Sequence, residues 1–284
     1  MALVKTSRKK PEKDPLDFSE FGPEAMWKRA CRDVNAALRF YTRLPLFGRS
    51  AENHAAPDFT VMAWATPVAG AVVGIIGAGV LILAFNADLP AFVAAAFSLA
   101  AMLITTGAFH EDGLADTADS LGAYTVEKRL EVMRDSRVGT FGASALILSL
   151  MLRAGLVAAV ADSHGVFAAA MMLIAAESMS RAGSLAIGYA LDPARPDGAS
   201  ISAGRPTGDG FFHAGLAAGL ITAVTAATSL GFLAGLIGVV AVYATAFGMV
   251  RFAAHTYDGQ TGDVAGATQQ VANIAFLATI AILR

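Results

Sequence analysis

Four carboxylates lie within nine residues where the sequence reads HEDGLADTADSL, from His110 to Leu121. If this segment is helical, at about 100° per residue, then Asp112, Asp116 and Asp119 lie within about 60° of one another. Like charges on one helix face repel each other, and a multivalent cation would relieve that repulsion. Carboxylate oxygens suit Mg²⁺, especially where substrate phosphates complete its coordination. The segment therefore predicts a magnesium site, in preference to a solvated loop or an acidic helix N-terminus.

The polar segment that follows the cluster, EKRLEVMRDSRVGTFGA, carries arginines suited to phosphate. A planar guanidinium binds phosphate oxygens in pairs, so Arg134 and Arg137 are predicted to bind substrate. Asp135 would add a carboxylate or hold an arginine in place. The alternative is that the basic residues of this segment only anchor a cytoplasmic loop.

Other charged residues lie in apolar stretches or in a later loop. Glu177 and Arg181 are four residues apart, where an ion pair is the least costly arrangement; a polar cavity, in which Arg181 binds substrate, is the alternative. Arg195 and Arg205 lie in a loop rich in Pro and Gly that would close over a ligand. Arg153 has no charged neighbour in its stretch, and we expect it to snorkel toward the outer membrane surface.

A short TGD sequence opens two of the apolar stretches, at Thr207–Asp209 and at Thr261–Asp263. Asp caps helix N-termini well, so capping is one interpretation of both aspartates. Small residues surround Asp263, however, and such residues let backbone amides approach phosphate at a helix N-terminus. We therefore predict that Asp263 joins the site. His110, which projects opposite the aspartates, is predicted to be structural.

The composition is that of a polytopic membrane protein. Of the 284 residues, 55% are hydrophobic and 15% are charged, against about 25% charged in a soluble domain. The net charge of −2 provides no bulk basicity for nucleic-acid binding. Cys31 is the only cysteine, which excludes internal disulfides and a cysteine-based metal site.

The elements that must position these residues are predicted to be membrane helices in an all-α bundle of about seven spans. Residues 1–22 are predicted to form a disordered basic arm that contacts membrane lipid, and residues 23–284 a single membrane-embedded domain. An amphipathic interfacial helix is predicted at 24–44. The predicted spans are residues 60–85, 91–109, 139–160, 165–189, 210–229, 231–250 and 264–283. Gly-rich helix faces would allow close packing or an oligomer.

Basic residues mark one side of this bundle. The N-terminal segment, the Glu111–Val138 and Leu191–Asp209 loops and the Arg251–Asp263 turn hold most of the Lys and Arg, while the alternate loops have none. The positive-inside rule then predicts that the N-terminus and every polar motif above face the cytoplasm. A multi-pass protein of the inner (cytoplasmic) membrane is expected.

Four segments resemble a known family. FYTRLP (Phe40–Pro45), FHEDGLADTAD (Phe109–Asp119), RLEVMRDSRVGTFG (Arg129–Gly142) and TGDVAGA (Thr261–Ala267) are similar to the cobalamin synthase family, the membrane-embedded adenosylcobinamide-GDP ribazoletransferases. The resemblance extends from about residue 32 to the C-terminus. It implies the final assembly step of vitamin B12. The 3′-hydroxyl of α-ribazole 5′-phosphate, or of α-ribazole, attacks the cobinamide-side phosphorus of adenosylcobinamide-GDP, and GMP leaves.

The resemblance implies Mg²⁺ as the ion, and the types and spacings of the residues suggest a role for each of them in this chemistry. Phosphoryl transfer depends mainly on positioning and charge neutralisation. Asp112 and Asp116 would hold Mg²⁺ on the diphosphate. Glu111 and Asp119 would be further ligands, Asp263 would ligate the metal or orient an arginine, and Asp119 would also accept the proton of the hydroxyl. The arginines after the cluster would contact the diphosphate.

Three other interpretations remain. CDP-alcohol phosphotransferases also pair aspartates on membrane helices, but residues 112–118 read DGLADTA and lack the DGxxAR of that family. A cation transporter would carry polar residues near the middle of its spans, where Glu177 and Arg181 are the only candidates. A non-catalytic scaffold would leave the spacing of the aspartates unexplained.

Overall fold

The computed structural model describes residues 22–46, 57–196 and 203–283, and these residues are mostly helical. The α-helices are α1 (Pro23–Tyr41), α2 (Phe59–Met62), α3 (Thr66–Asn86), α4 (Ala91–Thr106), α5 (Phe109–Ser120), α6 (Val126–Val132), α7 (Thr140–His164), α8 (Val166–Ala190), α9 (Gly208–Ala227), α10 (Phe232–Tyr257) and α11 (Gly262–Ile282). A short 3₁₀ turn, Ala63–Ala65, joins α2 to α3. The predicted N-terminal arm lies outside the described residues, apart from its last residue.

Six stretches are long and apolar enough to cross a membrane, namely α2 with α3, α7, α8, α9, α10 and α11. Helices α4 and α5 qualify together as a pair bent by 92°, which gives up to seven spans. The predicted all-α bundle of about seven spans is thereby confirmed. The second span differs from its predicted range of 91–109, because α4 ends at Thr106 and the chain turns there.

The bend between α4 and α5 consists of two consecutive residues with left-handed backbone. Gly107 has φ +69° and Ala108 has φ +58°. Glycine adopts this conformation without steric cost, whereas alanine pays about 1 kcal/mol. A side chain at Gly107 would also overlap the guanidinium of Arg43. The bend turns the acidic segment away from the direction of α4, so the carboxylates belong to a separate short helix.

Helix α8 forms the centre of the bundle. It packs against α3, α7, α9, α10 and α11, and most of its side chains are buried. Apolar residues make up most of this core, but Glu177 and Arg181 lie within it. The central helix therefore carries charges that must be neutralised inside the protein.

Helix α1 is amphipathic, and its last two turns pack against the bundle. Ala37 and Tyr41 are buried against Met62 and other residues of α2 and α3. Trp27, near the start of the helix, is 71% exposed. The C-terminal end of α1 is thus fixed to the bundle while its N-terminal half presents an aromatic and basic surface.

Candidate functional site

Helices α5 and α11 cross in very close contact, and this contact positions the acidic residues. A Cβ atom added to Gly113 of α5 would lie 2.7 Å from the carbonyl oxygen of Asp263. One added to Gly266 of α11 would lie 3.3 Å from the carbonyl oxygen of His110. Only glycine at position 113 permits this approach, so the first turn of α11 lies directly against the acidic helix.

Three of the predicted carboxylates meet at this crossing. The charges that act most strongly on Asp116 are those of Asp112, Asp263 and Asp119, all of them negative. Asp112 is exposed and Asp116 is half-buried. Arg195 is one basic partner, and its Nη2 lies 3.9 Å from Oδ2 of Asp263. The crossing is therefore a site where negative charge is concentrated.

Threonines, not aspartates, cap the two helices that begin with TGD. The side chain of Thr261 accepts a hydrogen bond from the Val264 amide at 3.1 Å. Thr207 accepts one from the Gly210 amide at 3.0 Å. The capping interpretation of the two aspartates is wrong, because a threonine two residues earlier already occupies the cap. Asp263 is left to face α5.

Asp119 has an additional contact that the sequence reasoning missed. Its Oδ2 accepts a hydrogen bond from the Gly139 amide and its Oδ1 one from the Gly142 amide, both at 2.7 Å. These amides lie at the N-terminus of α7, where donors lack partners within the helix. Asp119 thus fastens α5 to α7. The two segments are some twenty residues apart in sequence, and no local sequence pattern predicts such a cap.

The structure does not bring Glu111 to the other carboxylates, although it was predicted to share their metal. Its Oε1 accepts hydrogen bonds from Arg153 Nη1 and from Gln270 Nε2, each at 2.9 Å. Glu111 is turned about 100° around the helix from Asp112, and this rotation directs its side chain into the bundle. Its contacts are those of a buried ion pair.

Glu111 belongs to a buried network that spans α5, α7, α8 and α11. Arg153 Nη2 donates to Glu177 Oε1 at 2.8 Å, and Glu177 also pairs with Arg181. Asn273 Nδ2 donates to Glu177 Oε1 at 2.9 Å. The expectation that Arg153 snorkels is wrong: it is 2% exposed, because two carboxylates compensate its charge inside the protein. The predicted pairing of Glu177 with Arg181 is confirmed.

Arg181 is buried behind the ring of Tyr41. It is 1% exposed, and its guanidinium carbon lies 6.0 Å from the centre of the Tyr41 ring. Its position is that of a buried partner of Glu177, beneath the surface that a substrate would contact. Arg181 therefore does not reach the surface directly, as the role predicted for it in substrate binding would require.

The predicted phosphate-binding arginines after α6 lie on an exposed segment beside the site. Arg137 is 87% exposed and binds Asp135 through two nitrogens, with Nη2 at 2.6 Å from Oδ2. These hydrogen bonds lower the pKa of the Asp135 carboxyl to about 2. Arg134 is exposed at the end of α6, and the adjacent Met133 contacts Thr261 at the start of α11. A substrate phosphate could replace Asp135 on Arg137.

Arg205 binds the end of α8. It donates to the carbonyl oxygens of Gly188 at 3.0 Å and Tyr189 at 3.1 Å, and it pairs with Asp192. Carbonyl groups at a helix C-terminus lack partners within the helix, and a guanidinium supplies them. These contacts hold the loop after α8 in place, and substrate binding by Arg205 stays a prediction.

Among the described residues, no group of three or more His, Cys, Asp and Glu side chains is arranged to hold a metal ion by itself. One or two of the neighbouring aspartates Asp112, Asp116 and Asp263 are compatible with a magnesium ion that takes its remaining ligands from a diphosphate and water. Such sites use one or two carboxylates and several other oxygens. The mutual repulsion of these aspartates is the feature of the structure that favours a cation.

A cavity of about 280 Å³ opens beside Asp112 and Asp263. Aromatic side chains form one wall, and we call it the aromatic cavity; its rings are Phe40, Tyr41, Phe59, Phe109 and His110. His110 stacks on Tyr41 with ring centres 5.5 Å apart. The sequence reasoning missed this wall, although FYTRLP and FH each supply two neighbouring rings.

The chain is similar to proteins of one family along most of its length. The family described as "Cobalamin-5-phosphate synthase" matches residues 33–281. The adenosylcobinamide-GDP ribazoletransferase of Xanthobacter autotrophicus is 48% identical over 257 residues, which cover 89% of this chain and 97% of that protein. The protein of the same name from Azorhizobium caulinodans is 44% identical over 261 residues, with coverage of 89% and 97%. No solved structure matches the chain significantly.

Proposed function

The chain belongs to the cobalamin-5-phosphate synthase family, and from this premise we propose how its site performs the final step of cobalamin assembly. In that step the adenosylcobinamide phosphate passes from adenosylcobinamide-GDP to the 3′-hydroxyl of α-ribazole 5′-phosphate or α-ribazole, and GMP leaves. The observation that carries the proposal is the meeting of Asp112, Asp116 and Asp263 at the crossing of α5 and α11. These carboxylates would bind the diphosphate through Mg²⁺.

The charges of the site favour this assignment. A diphosphate is anionic, so the three aspartates would repel it unless a cation lay between them. When bound, Mg²⁺ would neutralise charge on the transferred phosphoryl group and on the leaving GMP. The contribution of the chain is to fix the carboxylates through the close contact at Gly113 and to exclude side chains from the crossing.

The acceptor hydroxyl must lose a proton, and we assign its acceptance to Asp116. The prediction from sequence was Asp119, but both oxygens of that residue accept hydrogen bonds from the backbone amides that begin α7, so the carboxylate is held against that helix and directed away from an incoming hydroxyl. Asp116 lies one helical turn from Asp119, in the middle of the acidic face. It is half-buried, so a proton accepted there is partly shielded from bulk water.

Arginines at the edge of the site would hold the phosphates. Arg195 lies beside Asp263, and Arg134 and Arg137 belong to the exposed segment that contacts the start of α11. A guanidinium binds two phosphate oxygens at once, so these side chains would orient the diphosphate. They would also balance the charge of the departing GMP.

The membrane completes the proposal. The helices make the chain a multi-pass membrane protein, and the distribution of Lys and Arg favours the inner membrane with the N-terminus and the site on the cytoplasmic side. Helix α1 presents Trp27 and the basic residues Lys28 and Arg29 on its exposed surface. Such a surface would rest on anionic lipid beside the site.

The test is release of GMP by purified protein in detergent, supplied with adenosylcobinamide-GDP, α-ribazole 5′-phosphate and Mg²⁺. We expect GMP release to require the metal and to be abolished in Asp116→Asn. The matched control is Asp209→Asn, which changes the exposed aspartate of the other TGD sequence and should leave the rate unchanged. Equal GMP release after chelation of divalent cations would contradict the role of Mg²⁺, and near-normal release by Asp116→Asn would contradict the site.

A further inference from the structure

We propose that the aromatic cavity binds the base of the ribazole acceptor, which is a substituted benzimidazole. The inference rests on the proposed function for the identity of the reaction. It adds the location of the acceptor, which neither the family nor the carboxylate site specifies.

Rings from three separate elements form the wall of this cavity. Phe40 and Tyr41 end α1, Phe59 begins α2, and Phe109 and His110 begin α5. The Phe40 ring packs edge-on against Phe109 at 5.1 Å and against Phe59 at 5.4 Å between ring centres. These contacts order the wall before a ligand arrives. A flat heteroaromatic ligand gains most from stacking on such a surface.

The volume of the cavity limits which chemical group of the two substrates it can bind. Its volume of about 280 Å³ lies just below the range of about 300–1,000 Å³ for ligand pockets. A base of two fused rings fits this space. A corrin macrocycle with its side chains does not, so the cobinamide part of the donor must lie elsewhere. The remaining candidates are the benzimidazole of the acceptor and the two purines of the donor, guanine and adenine.

The polarity of the lining favours benzimidazole. Guanine and adenine each carry several hydrogen-bond donors and acceptors on their edges, and each of these groups requires a partner when it is buried. Outside the carboxylates, the cavity offers few polar side chains, and the Ser184 hydroxyl already donates to the carbonyl oxygen of Arg181 at 2.8 Å. The benzimidazole of a ribazole has one unsubstituted ring nitrogen. It needs a single donor, which His110 or Gln260 could supply.

The position of the cavity agrees with the direction of attack. Asp112 and Asp263 lie on its boundary, so one end of the cavity is the carboxylate site itself. A ribazole whose base lies among the rings would direct its ribose, and with it the 3′-hydroxyl, toward these carboxylates. Base and reacting hydroxyl would thus occupy the two ends of one continuous site.

The test separates the two substrates by their KM values. Phe109→Leu and Phe40→Leu keep an apolar side chain but remove the ring. We expect each to raise the KM for α-ribazole 5′-phosphate about tenfold, the order found when a stacked base loses its aromatic partner. The KM for adenosylcobinamide-GDP should stay within about twofold of its normal value. The matched control is Phe97→Leu, an exposed phenylalanine on α4, which should change neither KM.

Three outcomes would overturn the inference. A rise in the KM for adenosylcobinamide-GDP alone would assign the cavity to a purine of the donor. Two unchanged KM values would exclude the cavity as a substrate site while leaving the reaction intact. If the normal protein releases no GMP, the proposed function fails, and calorimetric titration with α-ribazole then tests the cavity separately. Absence of binding would overturn the inference, and binding that is weakened by Phe109→Leu would support it. Phe109 is 43% exposed, so its replacement is suitable even if Phe40→Leu fails to fold.

Discussion

Glu111 and Asp112 are adjacent acidic residues at the start of the same helix, and their surroundings are opposite. Glu111 points into the bundle, where Arg153 and Gln270 neutralise and bind it. Asp112 points out of the bundle toward Asp116 and more negative charge. One face of α5 is therefore a closed network, and the other is an open acidic face. Partners, and not residue type, decide which carboxylates remain available to bind a ligand.

The closed network is a balanced set of charges. Two carboxylates, Glu111 and Glu177, alternate with two guanidiniums, Arg153 and Arg181. Removing ions from water costs several kcal/mol each, and close pairing with additional hydrogen bonds is needed to offset that cost. On the open face the repulsion among aspartates is retained, which is the expected state of a site that awaits a cation.

The largest effect on stability is expected from Arg153→Met. It leaves Glu111 without a cation and removes one partner of Glu177, and breaking a buried pair costs about 3–5 kcal/mol. Unfolding in denaturant, followed in detergent, measures the loss. The control is Arg251→Met, at an exposed arginine of α10. Adding Glu111→Gln to Arg153→Met should recover part of the loss, since the uncompensated charge is then gone. Equal stabilities of Arg153→Met and the control would show that the network contributes little.

Parallel changes at the two adjacent residues should separate the faces. Asp112→Asn should lower the rate of GMP release about 10²–10³-fold, as expected when one electrostatic contact to the transition state is lost. It should leave the unfolding free energy unchanged or slightly higher, because one of the mutually repelling charges is removed. Glu111→Gln should do the reverse, lowering stability while the folded fraction keeps its activity. Rates are measured per folded protein. A similar loss of rate in both variants would mean that Glu111 takes part in the site.

Helical spacing explains what could be predicted from the sequence, and long-range packing explains what could not. Spacing alone placed Asp112 and Asp116 on one face, and the small residues around Asp263 identified the second helix. The role of Glu111 was not predictable, because its partners lie 42 and 159 residues away. The same is true of Arg153, whose isolation in sequence suggested snorkelling. Burial of a charge depends on side chains that only the tertiary fold brings together.

Separation of the two helices at their crossing should have a smaller effect on stability but should also lower activity. In Gly113→Ala the new methyl group would lie 2.7 Å from the Asp263 carbonyl oxygen, and overpacking of this kind costs about 1–3 kcal/mol. The rate of GMP release should fall because Asp263 moves away from α5. The matched control is Gly219→Ala on α9, where nothing lies within 4 Å. That change should be neutral or stabilising, since alanine favours helix. Unaltered stability and rate in Gly113→Ala would mean that the close contact is not needed.

The smallest effect on stability and rate is expected from Asp119→Asn. Asp119 belongs to the open face, but its carboxylate accepts hydrogen bonds from two backbone amides of α7. Asn in its place keeps one acceptor oxygen and turns an amide group toward the second backbone N–H, so one of the two capping hydrogen bonds to α7 is lost. Loss of a helix cap costs about 1 kcal/mol, and denaturant unfolding measures it. Because both oxygens already bind amides, the rate of GMP release should fall less than about tenfold, far less than in Asp112→Asn. A decrease as large as that of Asp112→Asn would return proton acceptance to Asp119. It would also mean that an acidic residue can cap a helix and still act on substrate. Hydrogen-bond partners within the protein would then no longer distinguish structural carboxylates from those available to a ligand.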